Sequence, residues 1–145
     1  MDPLSIAASV AGLLILSANI YSSLSSQLGK VSTAPRAAQD LLREVAETRL
    51  VIESMSSLVD SFARVPTSRR NMVPLEHVVM TLTHTILMFD DLKTFMDKSF
   101  VSLDTLNSVW QRLRWARRED RVKELVDRLW RQKVTISLIL NILQW

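Results

Sequence analysis

The chain has 145 residues, enough for one domain with a sizeable core. Two glycines, four prolines and 48% apolar residues point to an all-α fold and away from a small β-protein, which needs more turn residues. The absence of cysteine excludes disulfides and thiolate metal sites, in keeping with a reducing compartment, and the net charge of +3 is too mild to define a partner by itself.

The leading segment comes first and stands apart. Between Asp2 and Lys30 lie 27 uncharged residues, Pro3 to Gly29, and the stretch Pro3–Leu16 (PLSIAASVAGLLIL) is almost entirely apolar. Residues 1–29 carry one negative charge and no positive one, leaving +4 on the other 116. A helix is predicted from Pro3 to about Leu28, with Asp2 as N-cap, Pro3 at the first helical position and Gly29 in a left-handed cap. Ser5, Ser9, Gly12, Asn19, Ser23 and Ser26 form one narrow stripe of small or polar residues. Every other face is largely apolar in the first four turns, which places the helix at the centre of a bundle or in lipid.

A secretory signal fits poorly, because Asp2 has the wrong sign and no clear cleavage site follows Leu16. A permanent membrane span is marginal. Crossing takes about 20 apolar residues, and here Ser17, Asn19, Ser22, Ser23, Ser25, Ser26 and Gln27 follow the apolar part. Conditional insertion suits the segment better. A 27-residue helix is about 40 Å long, against a hydrocarbon core of about 30 Å. Ala8 and Gly12, reinforced by Ser5 and Ser9, give a spacing that lets helices approach closely inside a membrane. Plain packing at a helix crossing in a soluble core would use the same residues.

Lys30–Ala34 reads as a short loop with Ser32 and Thr33 as candidate caps. The second helix is predicted from Pro35 to about Ala63. Ala38, Val45, Ile52 and Val59 mark one inward row, and Leu41, Thr48, Met55 and Phe62 the adjacent one. Arg43, Glu44, Glu47, Arg49 and Glu53 fall off that seam. Arg64–Val73 reads as a loop. The third helix is predicted from Pro74 to Met96 or Lys98, with Leu75, Val78, Val79, Leu82, Ile86, Phe89, Leu92 and Met96 facing inward. After a turn over Asp97–Leu103, a short helix capped by Asp104 runs to about Trp115. The last helix spans about Glu119 to Leu143, with Val122, Leu125, Val126, Leu129, Ile136, Ile139, Leu140 and Leu143 inward. The polar knot Arg117–Asp120 argues for a bend before it. The whole reads as one domain over 1–145, a four- to five-helix bundle with an apolar N-terminal helix. Its abrupt stop at Gln144–Trp145 reads as a domain cut from a longer protein.

Residues 110–133 hold nine basic and four acidic groups, with Trp110, Trp115 and Trp130 interleaved. Arg112, Arg114, Arg117, Arg118 and Trp115 are candidate contacts to anionic headgroups. Nucleic acid is a rival partner for arginine beside aromatics, and the less favoured one. The plainer reading is a solvated face, since Glu119–Lys123, Glu124–Arg128 and Asp127–Arg131 are acid-to-base pairs at i,i+4. His77, His84 and Asp91 lie seven apart, about 10 Å between neighbours, too far to share a metal ion. No catalytic triad, phosphate loop or zinc motif is recognisable. The chain reads as a non-enzyme without cofactor or metal.

The opening MDPLSIAASVAGLLIL, with acid-Pro at positions 2 and 3, resembles the N-terminus of fungal HeLo-like domains. The closing segment Arg121–Gln144 (RVKELVDRLWRQKVTISLILNILQ) resembles the same family. Such domains lead fungal NOD-like receptors and related cell-death proteins. They are similar to the four-helix executioner domain of animal necroptosis and to the coiled-coil domains of some plant immune receptors. The resemblance implies a helical bundle that permeabilises membranes and kills the cell. It implies a cytoplasmic resting form that moves to the plasma membrane on activation. It also implies self-association, anionic lipid as partner, and a trigger outside this chain, either an amyloid motif or a nucleotide-binding module. The family's membrane-active element maps onto Leu4, Ile6, Val10, Leu13, Leu14, Ile15 and Leu16, with Ser5, Ala8, Ser9 and Gly12 as the helix-packing stripe. Plant relatives use acidic residues in that helix for cation passage. Here only Asp2 is acidic, which favours lytic disruption or a nonselective pore. Two other readings stay open: a soluble helical adaptor that only oligomerises or docks a helix, and a basic nucleic-acid-binding bundle.

Overall fold

A computed structural model of the protein describes residues 3–29, 36–61, 67–100 and 118–144. They form helices α1 (Pro3–Gly29), α2 (Arg36–Asp60), a single turn α3 (Thr67–Arg70), α4 (Leu75–Phe100) and α5 (Glu119–Gln144). Among the described residues there is no strand, and the four long helices make an all-α four-helix bundle. The Asp2 cap, the Lys30–Ala34 loop, Phe62, the Asp104 cap and the short helix to Trp115 fall outside the described residues.

Each long helix carries an inward track with alternating steps of four and three, the spacing that keeps one stripe facing a neighbour. On α1 the buried track is Ile6, Val10, Leu13, Ser17, Ile20, Leu24 and Leu28. On α2 it runs Ala38, Leu41, Val45, Thr48, Ile52 and Met55, and on α4 Val78, Leu82, Thr85, Phe89, Leu92 and Met96. On α5 it runs Val122, Leu125, Leu129, Ile136, Ile139 and Leu143, with the half-buried Gln132 filling the gap. These side chains form one continuous core. A fully buried Leu or Phe among them contributes about 1.5–3 kcal/mol.

α2 packs on α1 and α5, and α4 packs on the same two helices, so the ring order is α1, α2, α5, α4. Arg36–Glu44 of α2 share a groove with Glu119–Trp130 of α5, and Glu47–Val51 share one with Lys133–Asn141. α2 and α5 therefore run parallel. Asp91 binds Arg128 and Thr85 meets Gln132, so α4 runs antiparallel to α5. Leaving α2, the chain crosses the bundle end to reach α4, and α3 packs on α5 along that crossing.

Four expectations are corrected. Within the expected loop Arg64–Val73, residues Thr67–Arg70 are helical, closed by the Met72 N–H donating to the Arg69 carbonyl at 3.1 Å. α4 starts when the Pro74 carbonyl accepts from the His77 N–H at 2.9 Å, and it continues to Phe100, because the expected turn at Asp97 contains neither glycine nor proline to stop it. Gly29 closes α1 as a helical residue, and no described glycine has positive φ. Ile86 is exposed, because the four-three track passes through Thr85 instead. Thr85 is tolerated there since its hydroxyl donates to the Thr81 carbonyl at 2.7 Å. Val59, Val79 and Val126 flank the core, half-buried, and the last helix begins at Glu119 as expected.

Thr48 is fully buried, and its Oγ1 has no hydrogen-bond partner. A buried, unsatisfied hydroxyl costs about 1–3 kcal/mol. Thr48→Val keeps the shape and the β-branch while removing that cost. It is expected to raise stability by about 1 kcal/mol and Tm by about 3 °C. Thermal unfolding followed by circular dichroism measures it, and an unchanged or lower Tm would contradict this account of Thr48.

Candidate functional site: the leading helix and its seat

α1 is uncharged from end to end. Its track from Ile6 to Leu28 fills the side of the bundle between α2 and α4. The apolar stretch Ile6–Leu28 is long enough to cross a bilayer, yet only 28% of its most apolar window is buried. The helix is therefore peripheral, not central as its nearly all-round apolarity implied. It lies against the bundle along one track and meets water along another.

The candidate membrane-inserting residues divide accordingly. Ile6, Val10 and Leu13 are core residues, with Leu13 at 0% exposure. Leu14 and Leu16 are half-buried flanks. Ile15 is 65% exposed, and it is the one large apolar side chain standing in water among the described residues of α1. Leu4 lies in the first turn, its side chain outside those described, as is that of Ser5.

The small-residue stripe faces outward. Ala8, Ala11, Gly12, Asn19, Ser22, Ser23 and Ser26 are exposed, and Ser9 is half-buried. A Cβ added at Gly12 would meet nothing within 4 Å. A helix crossing inside this bundle thus gives no reason for glycine there. The stripe does explain how so apolar a helix can lie at a surface, because it presents methyl, hydroxyl and amide groups instead of leucines.

Among the described residues, the polar groups of α1 find no counterpart across its seat. The buried Ser17 donates to its own helix, to the Leu14 carbonyl at 3.1 Å. The Gln27 Oε1 is buried without a partner, a penalty of about 1–3 kcal/mol that docking of α1 incurs and undocking relieves.

Between α2 and α5 lies a cluster that sequence reasoning assigned to the wrong side. Glu44, expected off the seam of α2, is buried, because Lys133 reaches across from α5 to hold it. Lys133 Nζ lies 3.0 Å from Glu44 Oε2 and 2.6 Å from Glu47 Oε2, with the Lys133 and Glu44 side chains 18% and 10% exposed. Burial opposes the Lys133 charge, but the hydrogen bonds to Glu47 and Glu44 and their negative charges together outweigh it, so its pKa lies above 10.5. A raised folded-state pKa stabilises the fold fully below 10.5 and loses that contribution as the pH climbs through the higher folded value. The sequence signal was the break in the apolar track of α5 at Gln132–Lys133.

The described part of the basic segment is neutralised within the fold. Lys123 pairs with Glu119 at 3.3 Å and Arg131 with Asp127 at 2.6 Å, as the i,i+4 pattern predicts. Glu124 instead takes Arg121 at 2.8 Å, which frees Arg128 to cross to Asp91 on α4 at 3.1 Å. Arg118 stacks over the Phe95 ring, 5.8 Å from its centroid. Trp110, Arg112, Arg114, Trp115 and Arg117 lie outside the described residues. His77 and His84 are exposed on α4, and Asp91 is engaged by Arg128. Between α2 and α5 an open groove of about 510 Å³ exposes Leu50, Val134 and Leu138, a feature the sequence reading passed over.

Fold and site together define a four-helix bundle whose uncharged leading helix is of membrane-crossing length and lies at the bundle's surface. No family model, curated protein or solved structure matches this chain.

Proposed function

We propose that the protein is a conditional membrane-permeabilising domain of the HeLo-like kind, an executioner of programmed cell death whose α1 leaves the bundle on oligomerisation and enters the bilayer. It rests in the cytoplasm and acts at the plasma membrane. Its partners are anionic lipid, further copies of itself, and a trigger module outside this chain. The observation that carries this reading is the double character of α1. Among its described residues apolar packing alone holds it to its neighbours, and its exposed face is uncharged, made of small residues around Ile15. Hydrophobic packing between helices has an apolar substitute in the acyl chains, whereas a cross-helix ion pair would not.

Dye release from vesicles containing anionic lipid tests it. Protein clustered through a fused oligomeriser is expected to empty the vesicles, and deletion of residues 1–16 to abolish release. Intact vesicles under clustered full-length protein would end this reading. The groove lined by Leu50, Val134 and Leu138 favours a second reading, a helical adaptor that docks an apolar helix without touching membranes. That reading gives concentration-dependent association with no dye release.

A further inference from the structure

The outer side of α4 carries an apolar strip that the bundle leaves uncovered. Glu76, Met80, Thr83, Leu87, Asp90 and Thr94 are all exposed. Their spacing alternates four and three, so they line one side of the helix, opposite the buried track from Val78 to Met96. Met80 and Leu87 are each 55% exposed at the middle of the strip, and the exposed Ile86 borders them. Thr83 and Thr94 donate to the Val79 and Asp90 carbonyls of their own helix at 2.8 and 3.0 Å, so covering the strip strands neither hydroxyl. On α5 the outward charges are consumed within the helix by the pairs Lys123–Glu119 and Arg131–Asp127. On α4, Glu76 and Lys93 are in no ion pair among the described residues.

Reversed end for end, the strip complements itself. Counted from His84, Met80 lies four residues back and Leu87 three residues on, while Glu76 lies eight back and Lys93 nine on. The rise is about 1.5 Å per residue. Two α4 helices laid antiparallel across a twofold axis at His84 therefore bring Met80 of each level with Leu87 of the other. They bring Glu76 of each level with Lys93 of the other, and the acids Asp90 and Asp91 opposite His77. His84 meets its own copy at the axis, where uncharged imidazoles pack without repulsion. Arg128 and Arg131 border the strip on the α5 side, and both are already balanced, by Asp91 and Asp127. A parallel pairing instead sets Glu76 on Glu76 and Asp90 on Asp90, and like charges in contact reject a partner.

We propose that the outer side of α4 is a homodimer interface, on which two copies pack antiparallel across a twofold axis at His84. Such a contact is isologous, so it closes at two copies and does not propagate. A seam one helix wide is smaller than the about 800 Å² per partner of a standard interface, so the dimer is expected to be weak, with a Kd on the order of 10 μM. The proposal goes beyond the membrane reading of α1 and does not rest on it: the dimer forms in water, and a monomer can still release dye.

Sedimentation of the full chain at about pH 8, over about 1 to 500 μM, tests the proposal. A monomer–dimer equilibrium is expected, with no larger species. A monomer throughout, or growth past the dimer, would overturn it. Met80→Glu and Leu87→Lys change exposed positions and leave the core intact. Each alone sets a charge against an apolar side chain of the other copy and is expected to raise Kd at least tenfold. Combined in one chain they face each other twice across the axis as acid–base pairs, and Kd is expected to recover at least fivefold from the weaker single variant. Single variants that dimerise like the parent would place the interface elsewhere, and a double variant without recovery would remove the antiparallel pairing; either result ends the proposal.

Discussion

A carboxylate at Ile15 is expected to cut vesicle leakage about 100-fold while leaving the folded bundle nearly as stable as before. Ile15 is 65% exposed at rest, so Ile15→Asp removes little packing, and surface substitutions of this kind change stability by about 0.5 kcal/mol or less. In the bilayer the position is far more demanding. α1 runs from residue 3 to residue 29, which puts Ile15 one residue from its midpoint and near the centre of the hydrocarbon if the helix spans. An aspartate at the centre of a spanning helix costs about 2.5–3.5 kcal/mol on the insertion scale. Each 1.4 kcal/mol is a factor of ten. The contrast between an unchanged Tm and lost leakage is the diagnostic, because a purely structural role for α1 predicts that neither changes. Ile15→Leu, equally apolar, should leak like the parent. Wild-type leakage from the aspartate variant would mean that α1 does not cross the membrane.

Much of the fold was legible because the chain obeys simple spacing. The inward tracks of α2 and α5 follow from periodicity, and the lack of charge between Asp2 and Lys30 marks α1 as the unusual element with no structure in hand. Three features resisted for physical reasons. Glu44 reads as a surface residue because its own helix offers no reason to bury it; the reason, Lys133, is 89 residues away and becomes a neighbour only after folding. The parallel pairing of α2 with α5 is a tertiary choice, since equally amphipathic stripes permit several ring orders. Ile86 and Thr85 compete for one inward position, and hydropathy picks the isoleucine, whereas helix geometry and a satisfied hydroxyl pick the threonine. The site divides in the same way. The composition of α1 was plain, but which of its apolar side chains bury and that Ile15 faces water was decided by where α2 and α4 stand.

That division yields a result of the opposite sign. Leu13→Ala is expected to make the protein leakier, by tenfold or more at equal dose, although the substitution destabilises the bundle. Leu13 is fully buried, and truncating such a leucine costs about 2–5 kcal/mol, part of it for the cavity left in a close-packed seat. Fluid acyl chains leave no such cavity, so the loss in lipid is on the order of 1 kcal/mol. The difference, about 1–4 kcal/mol, moves α1 from bundle to bilayer. Tm should fall by about 5–15 °C in thermal unfolding, and dye release should rise in the same preparation. Leu129→Ala on α5 supplies the control. It empties a fully buried position of equal size outside α1, so Tm should fall comparably with little change in leakage. Loss of stability alone would make the two alanine variants behave alike. Only a helix balanced between its seat and lipid makes Leu13→Ala a gain and Ile15→Asp a loss, two residues apart on one helix.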